Sequence, residues 1–207
     1  MHIEFLVEEE SAEVTLGQIL PQMLKPEVTF QIHVFQGKPD LLQKLPGRLK
    51  GYKAWLPDDW KIVVLMDEDR EDCKKLKETL ENIAHAAGLS TASSVEPNTK
   101  FQILNRLAIE ELEAWFFGDI PAIHSAYPRF SSTLGEKARY RDPDAIRGGT
   151  WEALEQELQK TGYFKAGLPK IEAAREIARY MKPESNRSKS FQIFWAGLRR
   201  MCAQNQE

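Results

Sequence analysis

Two aspartates, Asp67 and Asp69, directly follow the short apolar run Val63–Met66, within a stretch where five of six residues are acidic. Such an apolar run is typical of a buried strand in an α/β sheet. Residues two positions apart on extended backbone share one face, and paired carboxylates suit a hard divalent cation. Open α/β sheets place ligands at the carboxyl ends of strands. The stretch therefore predicts a Mg²⁺ or Mn²⁺ site, with a solvated first helical turn as the simpler alternative.

A second acidic cluster, Glu8–Glu10, follows another short apolar stretch, which we predict to be a strand over residues 3–7. Like-charged neighbours at a strand end need either solvent or a cation to offset their repulsion. Solvated glutamates in front of a helix are again the simpler alternative, because acidic side chains favour the first turn of a helix.

The hydrophobic pattern predicts strands that alternate with helices over the first 119 residues and mainly helices afterwards. The predicted strands are 3–7, 28–35, 62–66 and 101–109, and the predicted helices are 12–24, 40–50, 72–87, 121–126, 151–160, 169–181 and 191–201. Pro46 and Gly47 are expected to interrupt the second helix. This order predicts an α/β fold with a largely parallel four-stranded sheet flanked by helices. We expect an α/β core at 1–119 and a helical C-terminal extension at 120–207 that packs on it.

Composition narrows the class of protein. The chain has 207 residues, of which 42% are hydrophobic and 29% charged, so we expect a folded chain rather than a disordered one. Cys73 and Cys202 are far apart and show no metal-ligand spacing, which fits a cytoplasmic protein without disulfides. We expect no signal peptide, because the N-terminus lacks a basic region followed by an apolar stretch. We also expect no membrane span, because no apolar run approaches about 20 residues. A homodimer is compatible with the sequence.

Charge is distributed unevenly along the chain. Residues 1–119 carry 13 Lys and Arg against 21 Asp and Glu, whereas residues 120–207 carry 15 against 10. An acidic first part and a basic second part are compatible with a metal site beside a phosphate-binding surface. No glycine-rich phosphate loop occurs, so we do not expect the chain to hydrolyse ATP by itself.

The acidic strand ends carry a resemblance to a known family. Glu8 after the first strand, and Asp67-x-Asp69 after the third, resemble the TOPRIM domain, the topoisomerase–primase module also used by overcoming-lysogenization-defect nucleases. Two later segments, Ala108–Trp115 and Asn186–Phe191, resemble a small branch of TOPRIM-like proteins of unknown function. Members of that branch often pair with an ABC-type ATPase in prokaryotic defence loci. The TOPRIM resemblance covers residues 1–119.

One position departs from the family pattern. A glycine usually follows the first glutamate of TOPRIM domains, and Glu9 takes that place here. Because glycine permits a tight turn, the local backbone is expected to differ. Glu9 or Glu10 is therefore an alternative to Glu8 as the active carboxylate.

The resemblance implies metal-dependent hydrolysis of phosphodiester bonds. Asp67 and Asp69 would hold Mg²⁺ or Mn²⁺, with Glu8 as a further ligand or as the general base. The resemblance favours Glu111 and Glu113 as ligands of a second metal, whereas helical geometry would pair Glu110 with Glu113. A capped amphipathic helix with no metal is the alternative for this segment.

Basic residues in the second part of the chain suggest a nucleic-acid partner. Arg187 and Lys189, within Asn186–Phe191, suit phosphate contacts, and Lys165 is a further candidate. A polar loop that caps the following helix is the simpler interpretation. The sequence thus predicts a TOPRIM-type nuclease that acts with a partner ATPase in defence. The alternatives are a non-catalytic interaction module for such an ATPase, or a phosphatase with similar metal chemistry.

Overall fold

The structure is a computed structural model that describes residues 1–96 and 99–204. Within these ranges the chain forms four β-strands and eight α-helices. The strands are β1 His2–Val7, β2 Thr29–Val34, β3 Trp60–Asp67 and β4 Ile103–Ala108. The helices are α1 Glu10–Met23, α2 Lys38–Trp55, α3 Cys73–Ala86, α4 Glu113–Phe117, α5 Ile120–Ala126, α6 Thr150–Lys160, α7 Lys170–Ala178 and α8 Lys189–Ala203.

The four strands form one parallel sheet in the order β2-β1-β3-β4, flanked by helices, which confirms the predicted fold class. Val7 at the end of β1 pairs with Val34 on β2 and with Leu65 on β3. Strand β3 is buried from Lys61 to Asp67, as expected of a central strand covered on both faces. Edge strand β2 alternates between exposed and partly buried residues over its first half, which reflects one solvated face.

The strand order reverses direction beside β1, because the chain places β2 on one side of β1 and β3 on the other. In open parallel sheets such a reversal leaves a crevice outside the carboxyl ends of the two strands, and ligands bind there. Here the two strands are β1 and β3. Glu8 follows one and Asp67 ends the other.

The core of the first compact unit lies between the sheet and helices α2 and α3. This unit comprises residues 1–9, 25–107 and 194–207. The buried side chains of this core come from the sheet and from the two helices. They include Leu6 and Val64 on strands, and Leu45, Leu49 and Leu80 on helices. Helix α3 begins at the N-cap Asp72, whose carboxylate accepts hydrogen bonds from Lys74 N and Lys75 N, as acidic N-caps do. These layers fix the positions of the loops that carry the acidic residues.

Helix α2 differs from the prediction. It runs without a break through Pro46 and Gly47, which were expected to interrupt it. Its apolar face, with Leu41, Leu45 and Leu49, is fully buried in the core. Burial of this face outweighs the cost of one lost backbone hydrogen bond, about 3 kcal/mol for an internal proline.

The second compact unit comprises residues 10–24 and 108–193. Helix α1 packs on α7, and every residue of α4 is buried. Residues 130–149 contain three short 3₁₀ helices and bury Phe130, Tyr140 and Ile146. The proposed division into domains at 1–119 and 120–207 stays a prediction. In the described ranges, no helix has the length and apolar character needed to cross a membrane.

Candidate functional site

Glu8 and Asp67 come together at the carboxyl edge of the sheet. The backbone N–H of Asp67 donates a hydrogen bond to Oε2 of Glu8 at 3.3 Å. Parallel pairing of β1 with β3 causes this proximity. Val7 lies opposite Leu65 in the last pair of the ladder, so Glu8 and Asp67 follow at the same edge of the sheet. Asp67 is 8% exposed, so its carboxylate is largely buried at the edge of the sheet.

Asp69 lies in the loop that follows β3. Asp69 and Arg70 both adopt left-handed backbone, with φ of 53° and 63°. Such φ values cost energy for residues with a Cβ, although aspartate tolerates them better than most. The turn ends quickly, and Asp72 then caps α3. The strained turn aims the Asp69 carboxylate at Lys38.

Lys38 is a functional candidate that the sequence analysis missed. Its Nζ lies 3.0 Å from Oδ2 of Asp69 and 2.9 Å from Oε1 of Glu71. The same ammonium donates to the backbone oxygen of Glu68 at 3.0 Å. Lys38 is the first residue of α2 and lies just beyond the carboxyl end of β2. Ligands of open parallel sheets bind at the carboxyl ends of strands, so the same rule that indicates Glu8 and Asp67 also indicates this lysine.

Burial and nearby charge act on the acidic side chains in this crevice. Burial raises the pKa of Glu8, and the charge of Asp69 raises it further. The Asp67 N–H and Lys38 lower that pKa, but by less. Burial opposes the charge on Lys38, yet hydrogen bonds to Glu71 and Asp69 outweigh it and raise its pKa. The surroundings of Glu8 therefore disfavour its charged form, because neighbouring groups offset a negative charge there only in part.

The donor set fits a divalent cation in its chemistry. Glu8 and Asp67 supply carboxylates from adjacent strand ends, and oxygen donors of this kind suit Mg²⁺ or Mn²⁺. A cation would also offset the charge that raises the pKa of Glu8. The side chain of Asp69 is bound to Lys38 instead. Over residues 1–96 and 99–204, no three His, Cys, Asp or Glu side chains are grouped closely enough to hold a metal.

Glu9, which stands where the TOPRIM pattern has a glycine, has no special backbone conformation. The residues other than glycine with positive φ in the described ranges are Asp69, Arg70, Glu110 and Phe164. A left-handed turn is therefore not formed at Glu9, and its Cβ meets no conformational penalty there. The first acidic turn follows β1 directly and leads into α1 at Glu10.

Glu111 and Glu113 have separate surroundings within the second unit. Oε2 of Glu111 accepts hydrogen bonds from Thr150 Oγ1 at 3.0 Å and from Trp151 N at 2.8 Å. These contacts cap the first turn of α6, where backbone N–H groups lack helical partners. Glu113 is fully buried at the start of α4, with Lys170 Nζ 3.8 Å from its Oε1. Their role as metal ligands stays a prediction.

The segment around Asn186 has a buried and an exposed side. Asn186, Ser188 and Ser190 are buried, whereas Arg187 and Lys189 are exposed. Asn186 Nδ2 donates to the Trp115 backbone oxygen at 2.8 Å.

Hydrogen bonds to Asp144 complete the buried side of this segment. Asp144 accepts from Ser188 Oγ and from Ser190 N, both at 2.7 Å. The hydroxyl of Ser188 also accepts from Phe191 N at 3.1 Å and so caps α8. The small polar residues of the motif thus hold the fold, while Arg187 and Lys189 face solvent. Lys165 is likewise exposed.

Comparison with known proteins gives a family match. The model of a family described as a domain of unknown function, DUF4276, matches residues 7–199. No curated protein and no solved structure matches the chain.

Proposed function

Because the chain belongs to the DUF4276 family, whose description assigns no activity, we propose a function from the geometry of the site: metal-dependent hydrolysis of phosphodiester bonds. One observation carries this proposal, namely the contact of Glu8 with Asp67 at the point where the strand order reverses. The resemblance of Glu8 and Asp67-x-Asp69 to the TOPRIM nucleases supports the same reaction class.

Each residue has a stated role in the proposal. Glu8 and Asp67 would hold Mg²⁺ or Mn²⁺, and Asp69 would join them once its ion pair with Lys38 opens. The bound ion would supply positive charge to the phosphate and lower the pKa of a water molecule. Alternatively, Asp67 and Asp69 would hold the ion, and Glu8, whose pKa is raised by burial, would accept the proton of the attacking water. Lys38 would then be free to contact a phosphate oxygen.

The partners follow from the second unit and from the resemblance. Arg187, Lys189 and Lys165 are exposed cations, and we assign them to backbone phosphates of a nucleic acid. Glu111 and Glu113 would serve a second metal in the same scheme. A cytoplasmic ABC-type ATPase is the proposed partner, in agreement with the defence loci of the TOPRIM-like branch.

A nuclease assay tests the proposal. Single- and double-stranded DNA and RNA are incubated with the protein, with Mg²⁺, Mn²⁺ or a chelator. We expect cleavage only with metal and a loss of at least about 100-fold in Asp67→Ala. The matched control is Glu78→Ala, which removes an exposed carboxylate from α3. Unchanged cleavage by Asp67→Ala, with an unchanged circular dichroism spectrum in both variants, would contradict the assignment of the site.

A non-catalytic interaction module is the second candidate. The ion pair between Lys38 and Asp69 favours it, since this lysine already neutralises one predicted ligand. In that case the acidic loop would hold a protein surface in place rather than a metal. Absence of cleavage and of Mn²⁺ binding, together with capture of the ATPase by the purified protein, would support the module over the enzyme.

A further inference from the structure

A cavity of about 630 Å³ lies at the amino edge of the sheet, opposite to Glu8 and Asp67. Its walls come from the residues that lead into the strands, such as Val28 before β2, Asp58 before β3 and Phe101 before β4. A volume of this size is within the range that small-molecule ligands occupy in proteins. The proposed hydrolysis at the other edge makes no use of this cavity.

A buried lysine lines the cavity. Lys61, the second residue of β3, is only 3% exposed. Its Nζ donates a hydrogen bond to the Asp58 backbone oxygen at 3.2 Å. An ammonium has three N–H groups, and the Asp58 oxygen accounts for one of them within residues 1–96 and 99–204. A buried cation is costly unless polar groups or an anion offset its charge.

Neighbouring charges do not remove this cost. Burial lowers the pKa of Lys61, and the charge of Lys100 lowers it further. Asp58 and Asp59 act in the opposite direction, but the pKa remains below its ordinary value. Both aspartates are exposed, so water already solvates them.

The charged rim indicates which kind of ligand the cavity suits. Lys25 and Lys100 are exposed at the cavity, as is Glu27. The exposed acids have access to solvent, whereas among the described residues that line the cavity the deeply buried charged group is the cation Lys61. An anion therefore gains more from this cavity than a cation does. Phe101 and Val28 add an apolar wall beside the lysines.

We propose that this cavity binds a small molecule with a phosphate group, which Lys61 anchors from inside and Lys100 and Lys25 contact from the rim. Lysine is a compact point charge with three donors and is a common ligand of phosphate. The apolar wall provides a surface for the remainder of such a molecule, as a nucleotide or a sugar phosphate would have.

Calorimetric titration with inorganic phosphate, AMP and glucose 6-phosphate tests the proposal on the full chain. We expect binding of at least one of these probes, weakened at least tenfold in Lys61→Met. The control is Lys50→Met, which removes an exposed lysine of α2 outside the cavity and should leave the affinity unchanged. Asp67→Ala should also bind as the wild type does, and this separates the cavity from the proposed nuclease site.

Two results would overturn the proposal. One is that none of the three probes binds at millimolar concentration. The other is that Lys61→Met binds the probes with the same affinity as the wild type. If Lys61→Met does not fold, Lys100→Met decides, because this exposed rim residue makes no packing contribution to the core. A threefold or larger loss of affinity is expected there, and no loss would refute the proposed contact.

Discussion

Glu4 and Glu8 belong to the same short stretch of chain yet have opposite surroundings. Glu4, on β1, accepts a hydrogen bond from Tyr52 Oη at 2.9 Å and lies 3.2 Å from His2 Nε2. A second imidazole, that of His33, contacts Oε2, the oxygen that also accepts from Tyr52, whereas His2 lies beside Oε1. Glu8, directly after β1, receives the Asp67 N–H at 3.3 Å.

The two carboxyl groups respond differently to their surroundings. Burial alone would raise the pKa of Glu4, but hydrogen bonds from Tyr52 and His33 outweigh it and lower that pKa. Burial raises the pKa of Glu8, and Asp69 adds to this effect. One carboxylate is therefore satisfied by side chains of its own unit and serves the fold. The other lies where ligands bind and still gains from an added cation.

Glu4→Gln should have the largest effect on stability. We expect a loss of about 2 kcal/mol in the free energy of unfolding at pH 7, because hydrogen bonds to a buried charge are lost. The pKa of Glu4 is lower in the folded state than its ordinary value of 4.5. The stabilisation is thus present above pH 4.5 and is lost as the pH falls through the folded-state value.

Urea denaturation from pH 3 to pH 8 measures this prediction, with Glu78→Gln on the exposed side of α3 as the control. The difference in the free energy of unfolding between the wild type and Glu4→Gln should become smaller towards pH 3. If Glu4→Gln is as stable as the wild type at pH 7, the Glu4 carboxylate does not stabilise the fold, and the proposed difference from Glu8 is wrong.

Lys38→Met should have an intermediate effect. Removal of the ammonium leaves Asp69, Glu71 and the Glu68 carbonyl without their shared donor, and we expect a loss of about 1.5 kcal/mol. The pKa of Lys38 is raised above 10.5, so its contribution persists through neutral pH and is lost only as the pH rises through the folded-state value.

Denaturation at pH 7 and pH 9 should give the same difference between Lys38→Met and the wild type. Lys50→Met provides the matched control on the same helix. A wild-type value of the unfolding free energy in Lys38→Met would mean that this lysine does not hold the acidic loop.

Glu8→Gln should have the smallest effect, and its sign should be opposite. Without divalent metal at pH 7, the neutral amide avoids a partly buried charge, and we expect a Tm about 2 °C higher. The folded-state pKa of Glu8 is above 4.5, so below pH 4.5 both folded and unfolded wild type are protonated and the gain disappears. Differential scanning calorimetry with a chelator at pH 4 and pH 7 checks this. A lower Tm of Glu8→Gln at pH 7 would mean that the Glu8 carboxylate stabilises the fold, as that of Glu4 does.

The sheet could be predicted because β1 and β3 are short apolar runs followed by acidic residues, whereas β2 alternates between apolar and polar residues. The predicted strand 62–66 lies inside the observed β3 Trp60–Asp67, and the predicted helix 72–87 is close to α3 Cys73–Ala86. The resemblance to TOPRIM domains then implied that Glu8 joins Asp67 and Asp69 in one site. The contact between Glu8 and Asp67 agrees with that reasoning.

Other features depend on tertiary contacts that no local pattern records. Pro46 is tolerated because the opposite side of α2 is buried, and Glu111 caps a helix that starts 39 residues later. Lys38 is separated by about 30 residues from the loop that it binds, so spacing alone did not connect them. Ser188 and Ser190 donate hydrogen bonds to Asp144, which lies 44 residues before Ser188 in the chain.

Calorimetric titration with Mn²⁺ tests the central claim most directly. The account predicts that the wild type and Glu4→Gln bind Mn²⁺ with similar affinity, whereas Asp67→Asn and Glu8→Gln bind at least tenfold more weakly. Equal Mn²⁺ affinity in Asp67→Asn and the wild type, or no binding by the wild type at 10 mM Mn²⁺, would contradict a metal site at the carboxyl edge of this sheet.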